Sequence, residues 1–493
     1  MRVDTSLRKP LGVSLVAVVF LTVPATAAAT ESHFAWPAWS ELLRLLTLQD
    51  YNTRVVILGT TLLGFAAGLA GTFLILRKRA LLSDALSHAT LPGIALAFIL
   101  MSMVLGQGKY LLGLIAGAAI FSVMGTVSVL LIQRYSRLKD DAALGIVLSV
   151  YFGLGIALMG FATRMQSGGA AGLSSFIYGK TASMLFFDAT LIGITALLAA
   201  LGCLALFKEF ALICFDADYA ATQGWPVAKL DLIMMALVVV VTVIGLQAVG
   251  LILVVALLII PPSAARFWTH NLKSMLWISG LIGALSGFFG AAISALMANL
   301  PAGAVIVLTA STLFIISLLL GTQRGLLRTS AARRHLRRKI MRENLLRELY
   351  EWFETRCTES QSVATAFEQI DGPEFEQLLA RRSWPRRQLQ RTLDGLHREN
   401  VICQSPHRGI VFTAAGVALA GEVVRKHRLW EAYLITYADI APGHVDWGAD
   451  QIEHVLDKRL IDELERRLPE LGAKAPPESP HRLRAAHQGV TSS

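Results

Sequence analysis

Arg77 to Phe98 reads RKRALLSDALSHATLPGIALAF, three cations followed by an apolar run that nonetheless holds an acid and an imidazole. Asp84 and His88 are four residues apart, so on a helix they share a face, one turn above the other. A carboxylate oxygen and an imidazole nitrogen placed this way make half of a small divalent-metal site, of the kind that suits zinc, manganese or iron. Ionisable groups at membrane depth cost roughly 2.5–3.5 kcal/mol on insertion scales and generally face a pathway or cavity. Ser83, Ser87 and Thr90 add hydroxyls near that face, and Pro92-Gly93 is expected to interrupt the helix just beyond it, a common feature of translocation sites. The other reading is an acid paired with its own histidine, or a cap near the interface below Arg77, Lys78 and Arg79.

The surrounding chain supplies the membrane. Of 493 residues, 54% are hydrophobic and 16% charged, which argues against a wholly soluble protein. Long uncharged runs dominate to about Gly321, and after Arg324 the composition becomes that of a charged, soluble domain. Much of the net charge of +10 sits in short loops and in one run after the last apolar segment, the pattern of cytoplasmic flanks rather than of a nucleic-acid surface. Cys203, Cys214, Cys357 and Cys403 have neither zinc-type spacing nor a disulfide pattern.

Residues 1–29 carry a basic start, an apolar core from Leu11 to Val23, Pro24 and an alanine-rich end, the outline of a signal peptide cut near Ala28 or Ala29. An uncleaved first span is the rival reading. Residues 38–50 suggest a short interfacial helix. Nine spans are predicted at 53–76, 80–105, 110–133, 141–161, 184–207, 230–246, 249–267, 274–297 and 302–321. The run 230–267 is split between Gly245 and Gly250 because one helix that long would overshoot a bilayer. With an outside N-terminus, nine spans place all five basic loops on the cytoplasmic side. Gly64, Gly68 and Gly71, and again Gly283, Gly287 and Gly290, are spaced for close helix approach in a compact all-α bundle. Residues 168–180 are either a re-entrant segment near a pathway entrance or a plain outer loop. Gly179-Lys180-Thr181 resembles the end of a phosphate-binding loop, but Ser174 stands where that motif needs glycine and no other nucleotide-binding motif occurs, so this chain is not expected to hydrolyse ATP itself.

Phe215 to Pro226, FDADYAATQGWP, predicts a short cytoplasmic helix. Asp216 and Asp218 complement the dipole at its start, and Gly224 and Pro226 end it. It is either a docking element for a soluble partner or an interfacial turn.

Three stretches in order, SDALSHATLPGIALAF, FDADYAATQGWPVAKLDL and VIGLQAVGLILVVALLIIPPSAARF, resemble the permease subunits of ATP-binding-cassette importers for manganese, zinc and iron. The resemblance covers about residues 50–322 and implies a type II importer fold in a bacterial inner membrane. It also implies two cytoplasmic ATPase subunits, a second permease subunit, and an extracytoplasmic protein that delivers the ion. Asp84 and His88 would line the pathway, and Asp216, Gln223 and Gly224 would belong to the helix that meets the ATPase. Metal would be substrate, with no permanently bound cofactor.

Residues 323–339 read as a basic linker whose arginines fix topology and meet anionic lipid headgroups. Beyond it, helices are expected at 340–355, 373–382 and 385–399, the last two in helix-turn-helix outline, followed by a short wing at 401–412. Leu389, Leu393 and Leu396 form the apolar face of the third helix, while Arg386, Arg387, Gln390 and Arg391 point elsewhere and are candidates for DNA contact. This order, with FTAAG, RKHRLWEAYL and IEHVL, resembles the diphtheria-toxin-repressor family of metal-dependent regulators over residues 340–468. The resemblance implies metal ligands at His427, Glu431, Asp450, Glu453 and His454; the same residues also suit ion pairs within a retained fold. Two departures bear on this. Asn344 and Arg347 stand at the first-helix ligand positions, where arginine cannot ligate a metal, and Asp446 replaces a secondary-site histidine. Residues 469–493 are expected to be disordered.

The sequence therefore predicts a divalent-metal permease with a cytoplasmic, winged-helix and metal-gauge-like domain. A membrane-tethered, metal-responsive DNA-binding regulator is the alternative. An enzyme is disfavoured, since Asp84 and His88 come without a nucleophile and no HExxH spacing occurs.

Overall fold

Lipid offers no hydrogen bonds to a backbone, so apolar runs of this length must close their own, and between residues 51 and 320 the computed structural model does so with helices. The structure describes residues 47, 49–77, 79–105, 110–164, 179, 181–297, 300–357, 370–382, 384–438 and 458–467. The predicted signal peptide and C-terminal tail lie outside these residues, as do most of the interfacial helix 38–50 and nearly all of the outer segment 168–180.

The first unit ends at Gly325. Its helices are α1 (Tyr51–Leu76), α2 (Ala80–Leu105), α3 (Leu111–Tyr135), α4 (Asp140–Arg164), α5 (Phe186–Ala205) and α6 (Phe207–Phe215). They continue with α7 (Ala217–Thr222), α8 (Val227–Val249), α9 (Leu251–Ala265), α10 (Leu272–Leu296) and α11 (Ala302–Leu320). Among the described residues, eight of these are long and apolar enough to span a membrane. The seventh predicted span, 249–267, is met by α9, which has only 15 residues. That is about 22 Å of helix against a hydrocarbon core of about 30 Å. The break before it falls at Gly250, within the predicted interval, because φ there is +87°, a conformation that glycine adopts freely.

α1 and α8 are the most enclosed helices. Around α1 pack α5, α8, α9 and α10, while α2 packs on α3 and α4; α8 and α9 touch both groups. Ile120, Val150, Leu197 and Leu308 stand exposed on the outer helices, faces suited to lipid. The two glycine stripes meet each other. A Cβ on Gly64 would lie 2.1 Å from the carbonyl oxygen of Gly283, and one on Gly283 would lie 2.0 Å from that of Gly64. Hydroxyls use the same close approach: Thr60 donates to the Gly287 carbonyl at 3.2 Å and Ser279 to that of Gly68 at 2.7 Å.

One buried charge cluster braces the α1–α2 turn. Asp231, on the first turns of α8, is 6% exposed. It accepts from Arg77 Nε at 3.2 Å and from Arg79 Nη1 at 2.6 Å, and Arg77 also donates to the Ile213 carbonyl of α6 at 3.0 Å. These two arginines, expected to mark a cytoplasmic loop, are therefore engaged within the protein.

The second unit begins at Leu326. The basic run expected to form a linker is instead helical from there on, in α12 (Leu326–Glu354). A linker pattern and an exposed helix are hard to separate by charge alone, and the spacing that declares the helix starts only near Ile340. From that point Leu345, Leu346, Leu349 and Phe353 are buried in a second core. α13 (Phe375–Arg381) and α14 (Arg386–Arg398) follow, then an antiparallel hairpin of β1 (Ile402–Ser405) and β2 (Gly409–Phe412), and then α15 (Ala414–Ala438) and α16 (Lys458–Arg467). Leu389, Leu393 and Leu396 of α14 are buried, as their spacing predicts.

Removing the acid from the α1–α2 brace leaves two guanidinium groups enclosed without their carboxylate, a defect that costs about 3–5 kcal/mol in buried pairs. Asp231→Ala is expected to lower the melting temperature of the detergent-solubilised protein sharply, with Asp231→Glu recovering part of the loss. An unchanged melting curve for the alanine variant would show that the cluster does not brace the fold.

Candidate functional site

Asp84 and His88 lie on α2 with Oδ1 and Nε2 3.4 Å apart. The side chains are 36% and 20% exposed, so the pair is partly open, more so at the acid than at the imidazole. His88 packs edge-on against Phe152 of α4, ring centroids 4.8 Å apart, which fixes the imidazole plane. Its Nδ1 is buried with no hydrogen-bond partner among the described residues.

Two expectations about this helix are corrected. α2 runs unbroken from Ala80 to Leu105 with Pro92 inside it. Tight packing explains the continuity: Gly93 meets Gly117 of α3 backbone to backbone, and Gly155 of α4 leaves room for the Pro92 ring. Proline still removes the N–H that would bond the carbonyl four residues back, here that of His88. The hydroxyls of Ser87 and Thr90 are also fully buried, and they donate to their own helix at the Ser83 and Ser87 carbonyls, at 2.8 and 2.6 Å. They are not available to a ligand beside Asp84.

The loop after α6 forms the predicted short helix, α7. Asp216 is its N-cap, accepting from the Tyr219 N–H at 2.8 Å. Gln223 is its C-cap, and Gly224 follows at φ +79° with its N–H bonded to the Ala221 carbonyl at 3.0 Å. No atom lies within 4 Å of a Cβ built on Gly224, so its need for glycine comes from the backbone angle rather than from crowding. Phe215, Tyr219 and Trp225 are all exposed around this helix. Three aromatic side chains on a rigid, capped turn make a surface that a partner groove could cover.

In the second unit, His427 and Glu431 are one turn apart on α15 and deeply buried, with Nε2 and Oε1 3.2 Å apart. Asp450, Glu453 and His454 lie outside the described residues. Arg347 of α12 brings Nη1 to 2.6 Å from Nδ1 and 3.0 Å from Nε2 of His427, and its Nε is 3.6 Å from Glu351. Burial pushes the Glu351 carboxyl above its ordinary range, and Arg347 pulls it partly back. Of the residues proposed for DNA, Arg386 donates to Glu376 at 2.6 Å and Gln390 to Asp394 at 3.0 Å, while Arg387 and Arg391 are exposed.

Sequence reasoning missed Asp231 and the partnership of Arg347 with His427. A lone acid at the start of an apolar span was the available signal for the first. For the second, the arginine was visible as a departure from the resemblance, but its contact with His427 was not.

The geometry can now be set beside known proteins. Residues 49–321 match the model described as the ABC 3 transport family, and residues 413–482 match the iron dependent repressor, metal binding and dimerisation domain. The manganese transport system membrane protein MntC of Bacillus subtilis is 37% identical over 433 residues, 86% of this chain and 95% of that protein. The zinc transport system membrane protein TroC of Treponema pallidum is 40% identical over 58% of this chain and 94% of its own length. A solved structure, PsaBC from Streptococcus pneumoniae in complex with Fab, superposes with a TM-score of 0.51 at 30% identity, covering 59% of this chain and 99% of that one. With one family model matching residues 49–321 of 493, more than half its length, the chain belongs to the ABC 3 transport family.

Proposed function

We propose that this protein is the permease subunit of an importer that carries a divalent transition metal, manganese, zinc or iron, across a bacterial inner membrane. The observation that carries the reading is the Asp84–His88 pair, one oxygen and one nitrogen donor 3.4 Å apart on a membrane helix and partly exposed on one subunit. Family membership and the manganese and zinc transport named for the relatives support it.

One subunit offers two side-chain donors, fewer than a four- to six-coordinate ion needs. Among the described residues, no cluster of three or more His, Cys, Asp or Glu side chains exists. A second permease subunit placing its own acid and histidine opposite would double the set, which favours a dimeric permease with the pathway between copies. An extracytoplasmic metal-binding protein would deliver the ion to the outer face. The helix α7, with Asp216, Gln223 and Gly224, would dock on a cytoplasmic ATPase subunit. The C-terminal unit would then also be cytoplasmic. A membrane-tethered DNA-binding regulator explains less, because a tether needs one span and Arg386 is already paired with Glu376.

Asp84→Ala and His88→Ala are each expected to reduce metal uptake by the reconstituted transporter to background at unchanged abundance. Normal uptake by both proteins would remove the pair from the pathway.

Gly224→Leu forces a branched side chain into the left-handed region, at a cost of roughly 1–2 kcal/mol, and should unseat the end of α7. ATP hydrolysis by the assembled complex should then lose its stimulation by substrate, and transport should fall with it. Stimulated hydrolysis and transport at wild-type rates would show that α7 is not the docking element.

A further inference from the structure

A likeness to metal-binding repressors calls for a divalent ion at His427 and Glu431, and the side chains around them do not fit one. One guanidinium nitrogen of Arg347, Nη1, lies 2.6 Å from Nδ1 and 3.0 Å from Nε2 of His427, so it donates to whichever ring nitrogen is unprotonated, the lone pair a metal would need. His427 in turn contacts Glu431 at 3.2 Å, and Arg347 reaches Glu351 at 3.6 Å. The cluster is sealed, with Arg347 3%, His427 1% and Glu431 0% exposed. A guanidinium stays charged throughout the physiological pH range and has no lone pair to give a metal. A divalent ion on either ring nitrogen would stand beside that fixed positive charge with little water to screen it.

We propose that Arg347 takes the place of a metal ion at His427: its guanidinium, held on its own helix beside Glu351, is an internal cation that ties α12 to α15 through His427 and leaves no place for a divalent ion on that ring. A second bridge follows the same pattern between the same helices. Arg428 of α15 donates from Nη1 to Glu354 Oε1 at 2.9 Å and from Nη2 to Oε2. Each bridge sets an arginine of one helix against a side chain of the other in a closed interface. The His427 site thus keeps its place in the fold without reading metal concentration, contrary to the expectation that it helps gauge the imported ion.

The test uses the full-length protein in detergent, in an Asp84→Ala/His88→Ala background so that the transport pair does not contribute. Manganese binding is read by loss of the free-ion electron paramagnetic resonance signal, with and without an added His427→Ala substitution. No manganese binding that depends on His427 is the expected result. Binding of one equivalent that disappears with His427→Ala overturns the proposal, whatever the outcome for uptake. The gain-of-function arm is Arg347→His, which exchanges the cation for a donor. It should acquire one equivalent of cobalt with a visible d–d band, and manganese should raise its melting temperature while leaving that of the Arg347 protein unmoved. A folded Arg347→His protein that binds no cobalt also counts against the replacement. If this variant fails to fold, the His427-dependence of manganese binding decides alone.

Discussion

Charge held in apolar surroundings must find a partner, and this chain meets that constraint in three ways that divide its labour. At Asp231 the charge is fully answered, by Arg77 and Arg79, and the result is a brace. At Asp84 it is only half answered, by a histidine at 3.4 Å on a partly exposed pair, and under the proposed function the unused capacity would serve a passing cation. At His427 and Glu431 the partner is built into the chain as Arg347, and the cluster closes. The residue types are similar in the three places. Exposure and the nature of the partner separate the two closed clusters from the open pair.

The first two clusters are physically connected. Arg77 reaches the Ile213 carbonyl of α6, the helix that leads directly into α7, and Arg79, held by Asp231, stands at the start of the helix bearing Asp84. A push on α7 therefore meets a hydrogen-bonded path that ends at α2, about one turn before the candidate metal pair. Elsewhere the subunit resists deformation, since α1 and α10 touch backbone to backbone at Gly64 and Gly283 and cannot slide without collision. Movement transmitted from a docked ATPase would thus be carried by the α2 side of the bundle rather than absorbed by its core.

What could be read in the sequence follows from the range of the interactions involved. Helical spacing, the two glycine stripes, the break near Gly250 and the short helix that opens at Asp216 are all local patterns, and each stands where it was expected. Pro92 misled because its local effect is a break, whereas the glycines at 93, 117 and 155 let neighbouring helices hold α2 continuous. The hydroxyls of Ser87 and Thr90 misled for a related reason, as a helix interior offers them a carbonyl of their own. Asp231 finds its arginines 152 and 154 residues away, and Arg347 finds His427 across 80, separations at which no spacing rule operates.

The difference between an ion and an arginine decides what the His427 site is able to report. A bound metal shifts an equilibrium because it can leave, and the size of the shift depends on its concentration and on its preference for one state. A guanidinium fixed to α12 never leaves, so the state it favours is occupied at every metal concentration. Its single charge also suits this interface, where Glu351 is already drawn toward its neutral form by burial and demands less compensation than a full carboxylate. What would be a switch with a free ion becomes a permanent fastening between α12 and α15 at His427.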